Sequence, residues 1–136
     1  MYLCTQDKIF LTMNESLVIS TSIDFMRIPY DELLFVDADG NYSSLTTIGD
    51  DRLLVNLQLG QIEQMLVEQL PTFSHNFVRI GKSLIVNLQY IRYVNVPKQK
   101  LFLYDKNGKK YQLKASREAL RKLKEYLEKG FNDGQE

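Results

Sequence analysis

Short apolar stretches alternate with turn-forming residues along the chain and predict a mostly β protein. Residues 33–36 are continuously apolar, which is typical of a strand buried on both faces. Residues 42–48 and 52–57 are rich in β-branched, aromatic and aliphatic side chains, and the Gly-Asp-Asp run at 49–51 can turn the chain between them. These two strands should form a hairpin, and the polar cluster at residues 37–41 predicts a loop before it.

Strand patterns also occur near the N-terminus and in the middle of the chain. Residues 8–12 and 17–21 are predicted to pair as a hairpin across the Asn-Glu turn at 14–15. Residues 77–80 and 84–96 return to a strand pattern, and the proline that follows ends it.

A further hairpin is predicted near the C-terminus. Residues 101–104 should pair with residues 111–114, because Asn107 and Gly108 between them favour a type I′ turn. Together with the other predicted hairpins, this one indicates that the strands pair mainly in antiparallel fashion.

Two short helices complete the predicted elements. The first spans residues 59–69, where apolar positions recur at helical spacing before a proline. The second begins after Ser116, a favourable N-cap, and Gly130 should end it. Its predicted buried face consists of Leu120, Leu123 and Leu127. Residues 130–136 are expected to form a disordered tail.

Length and composition favour a single intracellular domain. The chain has 136 residues, which suits one folding unit. Cys4 is the only cysteine, so no internal disulfide can form, and no apolar run is long enough to cross a membrane. A reducing cytoplasm is therefore the expected location.

Charge is divided unevenly along the chain. The net charge is zero, but residues 1–70 carry three bases against eleven acids, and residues 71–136 carry fourteen bases against six acids. Such asymmetry suggests a polyanionic partner. A folded domain can also intermix its two halves and neutralise its own surface, so charge alone leaves both interpretations open.

An enzyme is not expected from these residues. His75 is the only histidine, and no Gly-rich phosphate loop or spaced set of metal ligands is present. Asp37 and Asp39 could act as an acid and a base, but carboxylates at alternate positions beside a glycine more often form turns. The sequence therefore predicts no catalytic residue, metal or cofactor.

The segment with the most functional information is residues 77–87, an apolar strand pattern broken once by Gly81, Lys82 and Ser83. A break between two buried strands would hold one cation rigidly at the surface. Arg117 stands at the first helical position after Ser116, where backbone amides favour anions. Taken singly, such residues are more often ordinary solvated ones, but their combination favours an anionic ligand.

These segments, in this order, resemble the LytTR DNA-binding domain of bacterial response regulators. The resemblance rests on residues 28–36, 40–42 and 77–87, the Asn-Gly hairpin, and Ser-Arg at 116–117. It implies an elongated, mostly β domain of short antiparallel sheets with two helices, covering residues 25–129 after a 24-residue N-terminal extension. It also implies a transcriptional regulator that reads double-stranded DNA with loops in successive major grooves, commonly at direct repeats.

The resemblance also implies site residues. The base-reading positions correspond to Tyr42, Lys82 and Arg117. Tyr42 and Lys82 differ from the residues common in the family; a lysine suits guanine O6 and N7, and a tyrosine offers a hydroxyl and an apolar face. The expected phosphate contacts are Asn41, Ser43, Gly81, Ser83, Lys114, Ser116 and Arg121. The expected basic surface comprises Lys82, Arg92, Lys98, Lys100, Lys109, Lys110, Lys114, Arg117 and Arg121.

Two other functions remain open at this point. The same fold could be a protein-interaction module that docks a partner on an exposed strand edge. Alternatively, Tyr90, Tyr93 and Tyr104 could stack on bases of a single strand. Family members usually follow a phospho-receiver or a membrane segment, and the first 24 residues are too few for a receiver. Either the domain acts as a stand-alone regulator, or its signal comes through a sensor or regulatory protein.

Overall fold

The computed structural model describes residues 15–134 and contains three antiparallel sheets and two α-helices, as the sequence predicts. The strands are β1 (Ser16–Ser20), β2 (Phe25–Pro29), β3 (Leu33–Asp39), β4 (Tyr42–Thr47), β5 (Asp51–Val55), β6 (Phe77–Ile80), β7 (Leu84–Asn87), β8 (Ile91–Asn95), β9 (Lys100–Tyr104) and β10 (Lys110–Lys114). The helices are α1 (Leu59–Gln69) and α2 (Arg117–Gly134), and short 3-10 turns occupy Ser74–Asn76 and Leu88–Tyr90.

The central sheet has five strands in the order β5-β4-β3-β7-β6. Its middle strand, β3, is buried from Leu33 to Val36, which accounts for the continuous apolar run there. An irregularity in the β3–β4 pairing between Leu33 and Phe35 breaks the regular alternation of side chains between the two faces of the sheet. Leu33 and Val36 consequently pack into one core cluster, while Leu34 and Phe35 pack into the other.

One face of the central sheet is covered by α1 and the β1–β2 hairpin. Leu59, Ile62 and Leu66 of α1 are buried at the helical spacing that predicted them. Gln69 at the end of α1 joins helix to hairpin, because its side-chain amide donates to the Val18 carbonyl at 2.9 Å and accepts from the Val18 amide at 2.7 Å.

The other face is covered by the three-stranded sheet β10-β9-β8 and by α2. Leu101 and Leu103 of β9 and Leu120 and Leu123 of α2 are almost completely buried there, and Leu127 is partly buried. The predicted buried face of the second helix is thereby confirmed.

The predicted strand over residues 84–96 is wrong, because Asn87 divides it. The Asn87 side chain is fully buried; it donates to the Leu33 carbonyl at 2.9 Å and accepts from the Gln89 amide at 3.1 Å. These bonds turn the chain through Leu88–Tyr90, so β7 belongs to the central sheet and β8 to the three-stranded sheet.

The predicted N-terminal hairpin lies partly outside the described residues. Residues 16–20 form a strand, but within the described part of the chain its partner is Phe25–Pro29. Residues 8–12, the predicted partner, lie outside the described residues. On the other edge of β1, the backbone groups of Val18 are already bonded to Gln69, which leaves no free pairing site at that position.

The β9–β10 hairpin pairs as predicted, with Tyr111 opposite Leu103, but its turn is not type I′. Gly108 has a φ of 84°, whereas Asn107 does not adopt the positive φ that a type I′ turn requires. The Asp105 carboxylate instead accepts from the amides of Asn107 and Lys109 at 2.8 and 3.0 Å, and these bonds support a longer loop.

Two predicted boundaries are also corrected. β3 continues to Asp39, so the loop predicted over residues 37–41 shrinks to a tight turn in which Gly40 has a φ of 65°. α2 continues past Gly130 to Gly134, because a single exposed glycine weakens a helix without ending it. Residues 130–134, expected in a disordered tail, are therefore helical.

Candidate nucleic-acid interface

Two turns lie side by side at one end of the central sheet. The turn at residues 40–41 joins β3 to β4, and the turn at residues 81–83 joins β6 to β7. The Ala38 amide donates to the Ser83 carbonyl at 2.8 Å, which fixes the second turn beside the end of β3.

The β8–β9 turn and the start of α2 lie at the same end. Gly81 lines a shallow cavity with Ser116 and Ala119 of α2, and Ser83 lines another with Lys114. We call the surface formed by residues 40–42, 81–83, 97–100 and 114–117 the basic end.

Lys82 projects from a turn with a fixed backbone. Gly81 has a φ of 64°, a conformation that glycine adopts without strain, and Ile80 pairs with Leu84 on either side of the turn. Arg79 donates to the Lys82 carbonyl at 3.2 Å and also forms an ion pair with Glu63 at 3.1 Å. The Lys82 side chain is exposed and forms no ion pair within residues 15–131.

Arg117 is held at the start of α2. The Ser116 hydroxyl accepts from the Ala119 amide at 3.1 Å, which confirms Ser116 as the N-cap. The Arg117 Nε donates to the Pro97 carbonyl at 3.4 Å, so the guanidinium lies toward the β8–β9 turn with its other donors available.

Tyr42 is exposed at the first position of β4, opposite Asp39, with 46% of its surface accessible. Asn41 beside it is also exposed. Ser43 is different: it is fully buried, and its hydroxyl donates to the Leu57 carbonyl at 2.7 Å. The expected phosphate contact at Ser43 is therefore wrong, because alternate strand residues face opposite sides of the sheet.

The remaining expected phosphate contacts are all exposed: Gly81, Ser83, Lys114, Ser116 and Arg121. Lys114 lies directly opposite Lys100 in the β9–β10 pairing. Like charges opposite each other destabilise a sheet, and neither lysine forms an ion pair within residues 15–131. A bound anion would relieve this repulsion.

Not all of the predicted basic surface lies at the basic end. Lys109 forms an ion pair with Asp50 at 2.9 Å, at the end of the central sheet far from Lys82. Arg92 and Lys110 lie over the rings of Tyr104 and Phe102 on the three-stranded sheet. The basic end retains Lys82, Lys98, Lys100, Lys114 and Arg117, and Arg121 lies one turn into α2.

Of the three tyrosines predicted to stack on single-stranded bases, one is not available for stacking. Tyr90 is buried, with its hydroxyl bonded to the Asp31 carbonyl, and burial raises the pKa of this phenol. Tyr93 and Tyr104 do reach the surface of the three-stranded sheet.

Two positioning residues were missed from the sequence. Arg79 holds the Lys82 turn, as described above, and Gln99 ties the β8–β9 turn to the start of α2 by donating to the Ala115 carbonyl at 3.3 Å. Gln99 has a φ of 55°, which is uncommon for a residue with a side chain. Its role depends on which turn packs beside α2, so no local pattern could have identified it.

A cavity of about 310 Å³ separates the central sheet from β10 next to the basic end. Asp37 and Arg52 line it together with Lys114. Burial raises the pKa of Asp37, and the positive charge of Arg52 opposes that rise. The one acid in this cavity therefore has a neighbouring cation.

Metal-ligand groups and membrane-spanning helices are both absent from the part of the chain that the structure describes. Within residues 15–134, no three His, Cys, Asp or Glu side chains are grouped so that they could hold a metal ion. No helix in the same range is long and apolar enough to span a membrane.

Comparisons with known proteins agree with the fold of the chain. The family model of the LytTr DNA-binding domain matches residues 24–128. Among solved structures, the chain is similar to the LytTr DNA-binding domain of a Bacillus cereus protein described as a methyl-accepting/DNA response regulator. The two are 17% identical with a TM-score of 0.56, over 83% of this chain and 96% of that one. No curated protein matches the chain.

Proposed function

Because this chain belongs to the LytTR DNA-binding domain family, we propose that it is a regulator that reads specific double-stranded DNA sequences through loops in the major groove. DNA binding itself follows from the family. The observation that supports loop-based recognition is the convergence of exposed Tyr42, Lys82 and Arg117 on the basic end.

In this proposal the three base-reading residues have different chemistry. Lys82 donates to guanine O6 and N7, and Arg117 can form a bidentate pair with the same edge. Tyr42 offers its hydroxyl and an apolar ring face for a thymine methyl. Because the backbone around Lys82 and Arg117 is held by hydrogen bonds, it is ordered before binding, and the remaining entropy loss falls on the side chains.

Phosphate contacts would orient the domain around these residues. We assign them to Asn41, Gly81, Ser83, Lys114, Ser116 and Arg121, all of which are exposed. Such contacts set affinity and position rather than sequence preference. The chain would work where bacterial DNA is, in the cytoplasm, on sites arranged as direct repeats and under the control of a sensor or regulatory protein.

A protein-interaction module remains the second candidate because of the edge strand β5. This strand has a neighbour on one side only, and Leu53 and Leu54 are 36% and 53% exposed. An added strand from a partner could pair with that edge.

Binding to duplex DNA is expected to weaken steeply with salt. Each phosphate neutralised should contribute about −0.9 to the slope of log K against log salt. Fluorescence anisotropy with a duplex selected from random sequences, at about 50 to 200 mM salt, measures this slope. Affinity that does not change with salt would remove the electrostatic part of the proposal.

Replacing a base-reading residue should change sequence preference as well as affinity. Lys82→Ala and Arg117→Ala are each expected to cost about 1 to 3 kcal/mol on the selected duplex and much less on a scrambled one. Lys114→Ala should weaken both duplexes nearly alike, since it contacts phosphate. Lys109→Ala should change neither, because Lys109 is paired with Asp50 away from the basic end.

The difference between the two duplexes is the decisive measurement. Equal losses on selected and scrambled DNA in the Lys82 and Arg117 variants would restrict these residues to phosphate contact. If neither variant altered DNA binding, the base-reading assignment would fail and the β5 edge would become the better candidate for function.

A further inference from the structure

The outer face of the three-stranded sheet is basic and aromatic, and its strands β8, β9 and β10 contain no Asp or Glu. The pairing register places alternate residues of β9 and β10 on this face, and the irregularity between Ile91 and Tyr93 in β8 places two consecutive residues there. The residues on this face are Arg92, Tyr93, Asn95, Lys100, Phe102, Tyr104, Lys110, Gln112 and Lys114. The inner face carries the leucines that pack on the central sheet.

Two cations on this face, Arg92 and Lys110, lie over aromatic rings rather than beside carboxylates. The Arg92 guanidinium lies 4.6 Å from the centre of the Tyr104 ring, and Lys110 Nζ lies 3.9 Å from that of Phe102. Neither cation forms an ion pair within residues 15–131. Their full charge is thus presented to solvent.

The neighbouring hairpin loop shows the opposite arrangement. Lys106 forms an ion pair with Asp31 at 3.2 Å, and Lys109 forms one with Asp50 at 2.9 Å. On one hairpin, therefore, the lysines of the loop are paired with carboxylates, whereas Lys100, Lys110 and Lys114 of the sheet face form no ion pair within residues 15–131. This contrast indicates an anionic partner for the face.

We propose that this face binds the phosphate backbone of the same DNA duplex, outside the base pairs read at the basic end. The inference rests on the proposed function. Lys100 and Lys114 belong to both surfaces and make them continuous. A strand of five residues extends roughly 15 Å, comparable to four or five base pairs at about 3.4 Å each, so a flank that bends toward the face meets a row of cations.

Duplex phosphate fits the face better than a single strand does. Bases of a single strand need open ring faces for stacking. Here Tyr93 stacks on Phe102 with ring centres 4.9 Å apart, and Lys110 and Arg92 cover Phe102 and Tyr104. Phosphates can contact these cations without moving them off the rings.

The experiment compares a short duplex containing only the selected site with duplexes extended by about ten base pairs, one helical turn, on either side. Wild-type protein should bind one extended duplex more tightly than the short one. The salt slope should be steeper by about 0.9 for each added phosphate contact, so the gain from two contacts should shrink about tenfold between 50 and 200 mM salt.

The variant Arg92→Gln with Lys110→Gln keeps the aliphatic stems over the rings and removes both charges. It should lose the gain from the extension and bind the short duplex as wild type does. The matched control, Lys106→Ala with Lys109→Ala, removes two charges from the loop between β9 and β10. It should retain the gain in affinity from the extension.

Each other outcome has a distinct meaning. Equal affinity of wild type for short and extended duplexes would overturn the inference, as would a gain that survives in the Arg92/Lys110 variant or is lost equally in the control. If a single-stranded extension bound more tightly than a duplex one, the face would be assigned to base stacking instead of duplex phosphate contact, and the inference would be overturned. Failure of wild type to bind the short duplex would instead count against the proposed base reading.

Discussion

Leu123→Ala is expected to lower the free energy of unfolding by about 2 to 5 kcal/mol. Leu123 is 2% exposed in the cluster that joins α2 to the central sheet, so truncation leaves a cavity that the packed surroundings cannot fill. Urea unfolding followed by circular dichroism measures the change through a shifted midpoint.

Tyr126→Ala on the same helix is the matched control, since half of the Tyr126 side chain is exposed and its truncation should cost much less. If Leu123→Ala left the urea midpoint unchanged, α2 would not pack where the structure places it. The position of Arg117 at the start of that helix would then lose its support.

Asp105→Asn is expected to destabilise the protein by about 1.5 to 3 kcal/mol near neutral pH. Asp105 is 5% exposed, and its carboxylate accepts from the Tyr111 hydroxyl at 3.0 Å as well as from loop amides. Burial raises the pKa of Asp105, but these donors outweigh it and hold the pKa below the usual 3.8. Burial and the Asp105 carboxylate together raise the pKa of Tyr111 to about 12.

The sign of the pH dependence follows from the lowered pKa. The ionised form of Asp105 stabilises the folded chain above about pH 4, and this contribution is lost as the pH falls through the folded-state pKa. Urea unfolding from about pH 7 to about pH 3 should therefore show wild type and Asp105→Asn converging in stability. Taking the difference between the two proteins removes Asp37, whose raised pKa acts in the opposite direction.

A difference between the two proteins that stayed constant over this range would mean that the pKa of Asp105 is the same in the folded and the unfolded chain, so that its hydrogen bonds do not lower it. Tyr111→Phe separates the hydroxyl contribution from that of the loop amides, because it removes one donor and leaves the loop bonds intact.

Elements specified by local chemistry were predicted well from the sequence. The bounds of α1 and the cap at Ser116 agree with the structure, because helical spacing of apolar residues and a hydroxyl before the first turn are local signals. The strands around the Lys82 turn were also found, since two apolar runs flank a single polar break.

Features that depend on distant partners were not predictable in this way. The division of residues 84–96 depends on the bond from Asn87 to the Leu33 carbonyl, and the acceptor of the buried Ser43 hydroxyl is the carbonyl of Leu57 on another segment. The sequence likewise could not show that Lys109 and Lys82 lie at opposite ends, because their positions follow from sheet pairing. For the candidate site, the polar break that carries Lys82 was predicted between its two strands, and the distribution of the basic side chains was not.

The order of strands in the central sheet has a consequence for how the chain is made. β3 pairs with β4 across a tight turn, but its other neighbour is β7, which is synthesised only after β5, α1 and β6. Closing that long loop is entropically costly, and local hairpins form before it. A nascent or truncated chain that stops before residue 84 therefore carries β3, with its apolar run at residues 33–36, without its partner. That open edge makes the unfinished chain, rather than the completed domain, the species most exposed to aggregation and to chaperone binding.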